Sequence, residues 1–258
     1  MKSLQDSEFH YLIKLDNSED YKEEEYIFYT YEALKISQKL NFNLEKEDTI
    51  KKFFKKKLEN IDNKSIKEVM SILGVCKILS IQNFDKEILY DVYNKLCEQW
   101  HEDNEEGMDW FFDLYYLSLI SKTHNIKTNF ITEEFKNQIA AMIKNDTIDL
   151  TSKYMAVEIL DNYNLVDKEI SEIISNIIFE VDKNYKLDNN IYTIYYIEKG
   201  DIKTTFYTYM YYKLKNKRIP NKDRLSKTFN NIIKTEENFI NISSEEFYMI
   251  LYMGKELN

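Results

Sequence analysis

The stretch "YTYEALKISQKLNFNLEKEDTIKKFFKKKL", Tyr29 to Leu58, decides the fold class of this chain. On both sides of a polar joint, "NFNLEKE", its apolar residues recur three and four positions apart. That spacing is typical of helices that bury one face, whereas strands alternate every second residue. The stretch therefore predicts two helices joined by a short connection, which we call a helical pair.

The same order of apolar helix, polar joint and second helix recurs along the chain. It predicts five helical pairs, at about 26–60, 66–100, 109–145, 151–180 and 190–240. Their spacing is irregular but lies in the range of helical-pair repeats. An acidic residue opens each second helix, where it meets the positive end of the helix dipole; these residues are Glu47, Glu87, Glu133, Glu169 and Asp223. The predicted N-cap or first-turn residues are Asp48, Asp85, Thr132, Asp167 and Asn221.

Composition supports an all-α fold made of one domain over residues 1–258. Four Gly and one Pro are too few for a fold built on tight turns. A single pair cannot bury its apolar face, so we expect all five to stack into one body. Residues 1–25 are predicted to form an N-terminal arm or cap, and 243–258 a C-terminal cap helix. The segment from Asn189 to Tyr212 is rich in β-branched and aromatic residues, and we expect two helices there, broken near Gly200.

Charge and hydropathy limit the partners and the compartment. A net charge of −10 and a pI near 5.0 disfavour a nucleic-acid backbone as the main partner. No apolar run is long enough for a membrane span, and the N-terminus lacks the apolar core of a signal peptide. Cys76 and Cys97 fit buried free thiols of a reducing compartment. We therefore expect a cytoplasmic protein, and the Lys, Ile, Asn and Tyr usage is typical of a low-GC bacterium or its phage.

The repeat unit "YTYEALKISQKLNFNLEKEDTI" resembles the helical pairs of the prenyltransferase and terpene-cyclase superfamily. The stretches "FFDLYYLSLISKTHNIK" and "FYTYMYYKLKNKRIPNK" follow that layout loosely. The resemblance implies an α/α-toroid, and five pairs, fewer than a closed barrel of this family needs, imply an open arc. The zinc-binding context and the Asp-x-Asp-Asp stretch of the family do not occur, so we expect no metal and no cofactor. Tetratricopeptide-like arrays are the alternative, although their 34-residue period is absent.

One acidic joint invites comparison with a calcium site. In "WHEDNEEGMDWFFD", Gly107 could take the sixth position of an EF-hand loop, with Glu102 first and Asp113 twelfth. Position one is usually Asp and position twelve Glu, so the match is poor. We expect a solvated joint that caps the helix beginning near Asp109. The histidines His10, His101 and His124 lack metal-ligand spacing.

The aromatic residues carry the main functional hypothesis. Twenty-one tyrosines exceed what a core requires, because each buried hydroxyl needs a partner. If the first helices line the inner face of an arc, their rings would line a concave groove; the residues concerned are Tyr29, Trp110, Phe112, Tyr116 and Tyr209. Aromatic rings of this kind are preferred in recognition. The alternative is that they pack between helices with their hydroxyls reaching solvent.

The sequence thus predicts a non-catalytic binding or scaffold protein that takes a peptide, a protein or a small hydrophobic ligand. The alternative is an α/α-barrel enzyme acting on an isoprenoid or a saccharide. Asp109 and Asp113 would then be the proton donors, because they flank Trp110 and a pair of phenylalanines where burial could raise a carboxyl pKa. A third possibility, an antitoxin, immunity or phage anti-defence protein, fits the acidity alone.

Overall fold

The described structure is all-helical. A computed structural model describes residues 23–40, 47–61, 64–81, 86–102, 108–128, 131–145, 148–184, 202–220, 222–223, 225–227 and 244–257. Within those ranges the chain forms helices and turns and contains no strand, which confirms the all-α prediction. None of the helices in these ranges is long and apolar enough to cross a membrane.

The helices in the described ranges lie close to positions predicted from the sequence. They are α1 (Glu23–Leu40), α2 (Glu47–Leu58), α3 (Ile66–Ile78), α4 (Lys86–Glu102), α5 (Met108–His124), α6 (Glu133–Lys144), α7 (Leu150–Asn162), α8 (Lys168–Asn184), α9 (Ile202–Leu214) and α10 (Ser244–Leu257). α10 matches the predicted C-terminal helix. The helix predicted before Gly200, most of the N-terminal arm and most of the fifth second helix lie outside the described residues. The toroid arrangement stays a prediction.

The chain divides into two compact units, Met1–Thr128 and Asn129–Asn258. In the first unit α3 is the central helix, and α1, α2 and α5 all pack against it, while α4 packs against α5. The sequence of α3, "IKEVMSILGVCKI", is apolar on nearly every side, and Val69, Ile72 and Val75 are completely buried. The prediction of a single domain over 1–258 stays a prediction.

The second unit is built around α7 and α9. α7 packs against α6 and α9, while α8 and α10 pack against α9. Because α9 has neighbours on three sides, its rings and hydroxyls are buried on almost its whole circumference. This burial includes Thr204, Thr205 and Thr208, so the core of this unit contains hydroxyl groups as well as apolar side chains.

The helix starts agree with the capping analysis. The Thr132 side chain accepts the Phe135 N–H at 3.2 Å, and Asp167 accepts the Ile170 N–H at 3.0 Å. Asp48 lies in the first turn of α2. Each of these contacts satisfies or complements a backbone N–H that has no partner inside its helix. Asp85 and Asn221 lie outside the described residues.

The ends of α3, α5, α7 and α9 share the same kind of turn. The residues after α3, α5, α7 and α9 have a left-handed backbone, with φ between 49° and 59°; they are Ser80, Asn125, Asn164 and Asn216. After α3, for example, the Ile81 N–H returns to the Cys76 carbonyl at 2.8 Å, as in a Schellman motif. In the first three cases Ile or Leu follows the left-handed residue. A small polar residue followed by Ile or Leu therefore marks three of these four helix ends.

Candidate functional site

The first unit holds four of the five predicted ligand-binding rings. Tyr29 lies on α1, and Trp110, Phe112 and Tyr116 lie on α5. All four are half-buried, so each ring is partly packed and partly open to solvent. They differ in this from the neighbouring Phe111, which is 1% exposed.

A strip of half-buried apolar side chains runs along α5. Its members recur at the three- and four-residue spacing of one helix face; they are Phe112, Tyr115, Tyr116 and Leu119. The other face of α5 is buried and carries Phe111, Leu114, Leu117 and Ile120. Because the side chains of the strip are only half-buried, part of the apolar surface of α5 is exposed to solvent.

Trp110 is fixed in position by Trp100 at the end of α4. The two indole rings are stacked, with centroids 5.3 Å apart and an interplanar angle of 28°. The Trp100 Nε1–H also donates to the Trp110 carbonyl at 3.1 Å. Trp100 is itself buried, so these contacts hold the ring of Trp110 on a rigid base.

On α1, two rings cover the central helix instead of lining a free surface. The ammonium group of Lys67 on α3 lies 4.5 Å from the centroid of Phe28. Tyr31 packs so closely on Gly74 that a Cβ atom built there would lie 2.3 Å from its ring. Tyr29 meets Phe28 edge to face at 5.9 Å. Phe28 and Tyr31 therefore contact the central helix of their unit.

Tyr209, the fifth predicted ring, belongs to the second unit. It is 4% exposed, and its burial, with Glu256 nearby, raises the pKa of its hydroxyl. Tyr29 and Tyr116 belong to the first unit and Tyr209 to the second. That these three rings share one surface stays a prediction. On the same helix, Phe206 packs edge to face on Tyr252 of α10, with ring centroids 5.7 Å apart.

The enzyme alternative depends on Asp109 and Asp113. They lie one turn apart at the start of α5, with Asp109 exposed and Asp113 half-buried. General-acid chemistry of a carboxyl group at neutral pH depends on removing it from water. Exposure of Asp109 does not provide that environment, and the enzyme alternative stays a prediction.

Both cysteines lie in the interior of the protein. Both thiols are buried, and burial raises the pKa of Cys76 and of Cys97 to about 12. A thiol with such a pKa is protonated at neutral pH and is a poor nucleophile. Among the residues that the structure describes, no three His, Cys, Asp or Glu side chains are grouped so that they could hold a metal ion. The acidic joint 103–107 is outside them.

Comparison of the chain with protein-family models, with curated proteins and with solved structures gives no match. The resemblance to the prenyltransferase and terpene-cyclase superfamily therefore stays a prediction based on the repeat pattern.

Proposed function

We propose that the chain is a non-catalytic binding protein whose ligand, a peptide, a protein segment or a small hydrophobic molecule, packs against the half-buried rings of α5. The observation that carries the proposal is the strip of Phe112, Tyr115, Tyr116 and Leu119, which follows one face of α5. Trp110, stacked on Trp100, lies at the start of the same helix. Tyr29 on α1 is the further candidate contact.

The physical basis is the low entropic cost of using rings that are already held. A half-buried aromatic side chain loses little rotamer freedom on binding, and it offers a large apolar area with, in tyrosine, a hydroxyl for orientation. Trp110 is the best prepared of these rings, because Trp100 stacks on it and donates to its carbonyl. Rings of this kind are the usual hot spots of interfaces.

The test starts from a random-peptide phage library panned against the full chain, with the enriched peptide as the probe. Phe112→Ala and Tyr116→Ala are expected to weaken its binding about 30-fold or more, the equivalent of the roughly 2 kcal/mol that defines a hot spot. Phe179→Ala is the matched control, because Phe179 is 63% exposed on α8 and lies outside the proposed surface. Its affinity should equal that of the wild type.

Stability must be measured beside affinity, since a core aromatic cut to Ala costs about 3–5 kcal/mol. Both tryptophans, Trp100 and Trp110, belong to the first unit, so their fluorescence follows its unfolding in urea. Variants that stay folded and lose the peptide support the proposal. Core-sized destabilisation by both α5 variants, or a library without any peptide that depends on these rings, would contradict it.

A further inference from the structure

Two hydroxyl groups on α9 are buried without a partner among the described residues. Thr208 is 1% exposed and Tyr211 is fully buried, and they lie three residues apart on one face of the helix. In the part of the chain that the structure describes, no group makes a hydrogen bond with Thr208 Oγ1 or Tyr211 Oη. Buried polar atoms in folded proteins almost always have a partner, so these two require an explanation.

Tyr211 packs against a tyrosine of α7. The Tyr154 ring meets the Tyr211 ring edge to face, with centroids 5.4 Å apart. The centroid of the Tyr207 ring lies 5.0 Å from that of Tyr154. Burial is the main reason that the pKa of Tyr211 is raised well above its usual value, and the negative charge of Asp149 adds to the effect. The hydroxyl therefore stays protonated and can donate a hydrogen bond.

Asp149, whose charge acts on the Tyr211 hydroxyl, already has hydrogen-bond partners. Its side chain caps α7 by accepting the Ser152 N–H at 3.0 Å and the Ser152 hydroxyl at 2.7 Å. A carboxylate oxygen can accept more than one hydrogen bond. Its charge would repel an anion, so a neutral group that both donates and accepts is the chemistry that suits the place.

We propose that the second unit binds a neutral hydrogen-bonding oxygen between α7 and α9, held by Tyr211 Oη and Thr208 Oγ1. An ordered water or the hydroxyl group of a small polar ligand would supply that oxygen. Such bound waters are a regular part of protein interiors and pair with buried polar groups. The site is separate from the ring surface of α5 and does not depend on the binding function proposed for it.

Two substitutions that keep the side-chain shape test the proposal in the full chain. Tyr211→Phe and Thr208→Val each remove one hydroxyl, and calorimetry should record a Tm lower by about 2–8 °C, the shift expected for one lost hydrogen bond in units of this size. Tyr209→Phe is the control, since it removes a hydroxyl from another face of the same helix. It should leave Tm close to that of the wild type.

The direct readout is a high-resolution crystal structure of the full chain. Density for an oxygen within hydrogen-bonding distance of Tyr211 Oη supports the proposal, and mass spectrometry of small molecules released on denaturation separates a ligand from water. An unchanged or higher Tm for Tyr211→Phe would overturn the proposal, because removing an unpartnered buried hydroxyl relieves a desolvation cost. A Tyr211 hydroxyl bonded directly to Asp149 would overturn it as well.

Discussion

Gly74→Ala is expected to destabilise the first unit, although alanine is the better helix former. A Cβ atom at position 74 would lie 2.3, 2.8 and 2.9 Å from three carbons of the Tyr31 ring. Ordinary contacts between carbon atoms are about 3.5–4.0 Å, so the ring would have to move by more than about 1 Å. Tyr31 is half-buried and lies where α1 packs on α3, so this movement disturbs the helix interface.

Two opposing effects decide whether Gly74→Ala raises or lowers the free energy of unfolding. Replacing Gly by Ala inside a helix stabilises by about 1 kcal/mol. Inserting a methyl group into a packed interface costs about 1–3 kcal/mol. The expected net effect of Gly74→Ala is a loss of about 0–2 kcal/mol in the free energy of unfolding. In a Tyr31→Ala background the obstacle is gone, and the same substitution should stabilise by about 1 kcal/mol.

The measurement is a double-mutant cycle in urea, followed by the fluorescence of Trp100 and Trp110, both of which belong to the first unit. The cycle should give a coupling energy of about 1–3 kcal/mol between Gly74 and Tyr31. If Gly74→Ala has the same effect in both backgrounds, within about 0.5 kcal/mol, the close approach of α1 and α3 through these residues is refuted.

Three further predictions concern the joints and the thiols. Ser80→Gly should stabilise the first unit by about 0.5–1 kcal/mol, because Ser80 has φ of 51° and Gly takes that conformation without strain; a loss in urea unfolding would contradict this. The hydrogen bond from the Lys136 ammonium is the main cause, and the one from the Ile170 N–H the second, of a lowered pKa of Asp167. The stability that Asp167 contributes is therefore present above its unfolded pKa and is lost as the pH falls through its folded pKa. Asp167→Asn should therefore flatten the acid side of a Tm-against-pH curve, and an unchanged slope would count against the pair. Cys76 and Cys97, with pKa of about 12, should react with a thiol reagent at pH 8 only when urea unfolds the chain, and rapid labelling of the native protein would disprove their burial.

The sequence by itself determined the helices and their joints, because the interactions that set them are local. Helical spacing of apolar residues and a cap such as Thr132 act over three or four positions, which a single chain displays directly. The left-handed turn at Asn125 is equally local, and its small polar residue followed by Ile126 could have located the repeat from the sequence. The hypothesis that aromatic rings bind a ligand in a non-catalytic protein rests on composition and sequence pattern alone.

Only the tertiary structure decided which rings are buried. Tyr116 on α5 and Tyr209 on α9 occur in similar aromatic runs, yet Tyr116 is half-buried and Tyr209 is in a core. Both helices carry apolar or aromatic residues on every side, so periodicity could not indicate which face meets a neighbour. The difference arises because α9 has three helices around it, α7, α8 and α10, and the number of neighbours is a property of the packed unit. In the second unit, helix packing buries the Tyr211 hydroxyl away from solvent. In the first unit, it brings Tyr31 onto Gly74. Neither contact between helices is encoded by a local sequence pattern.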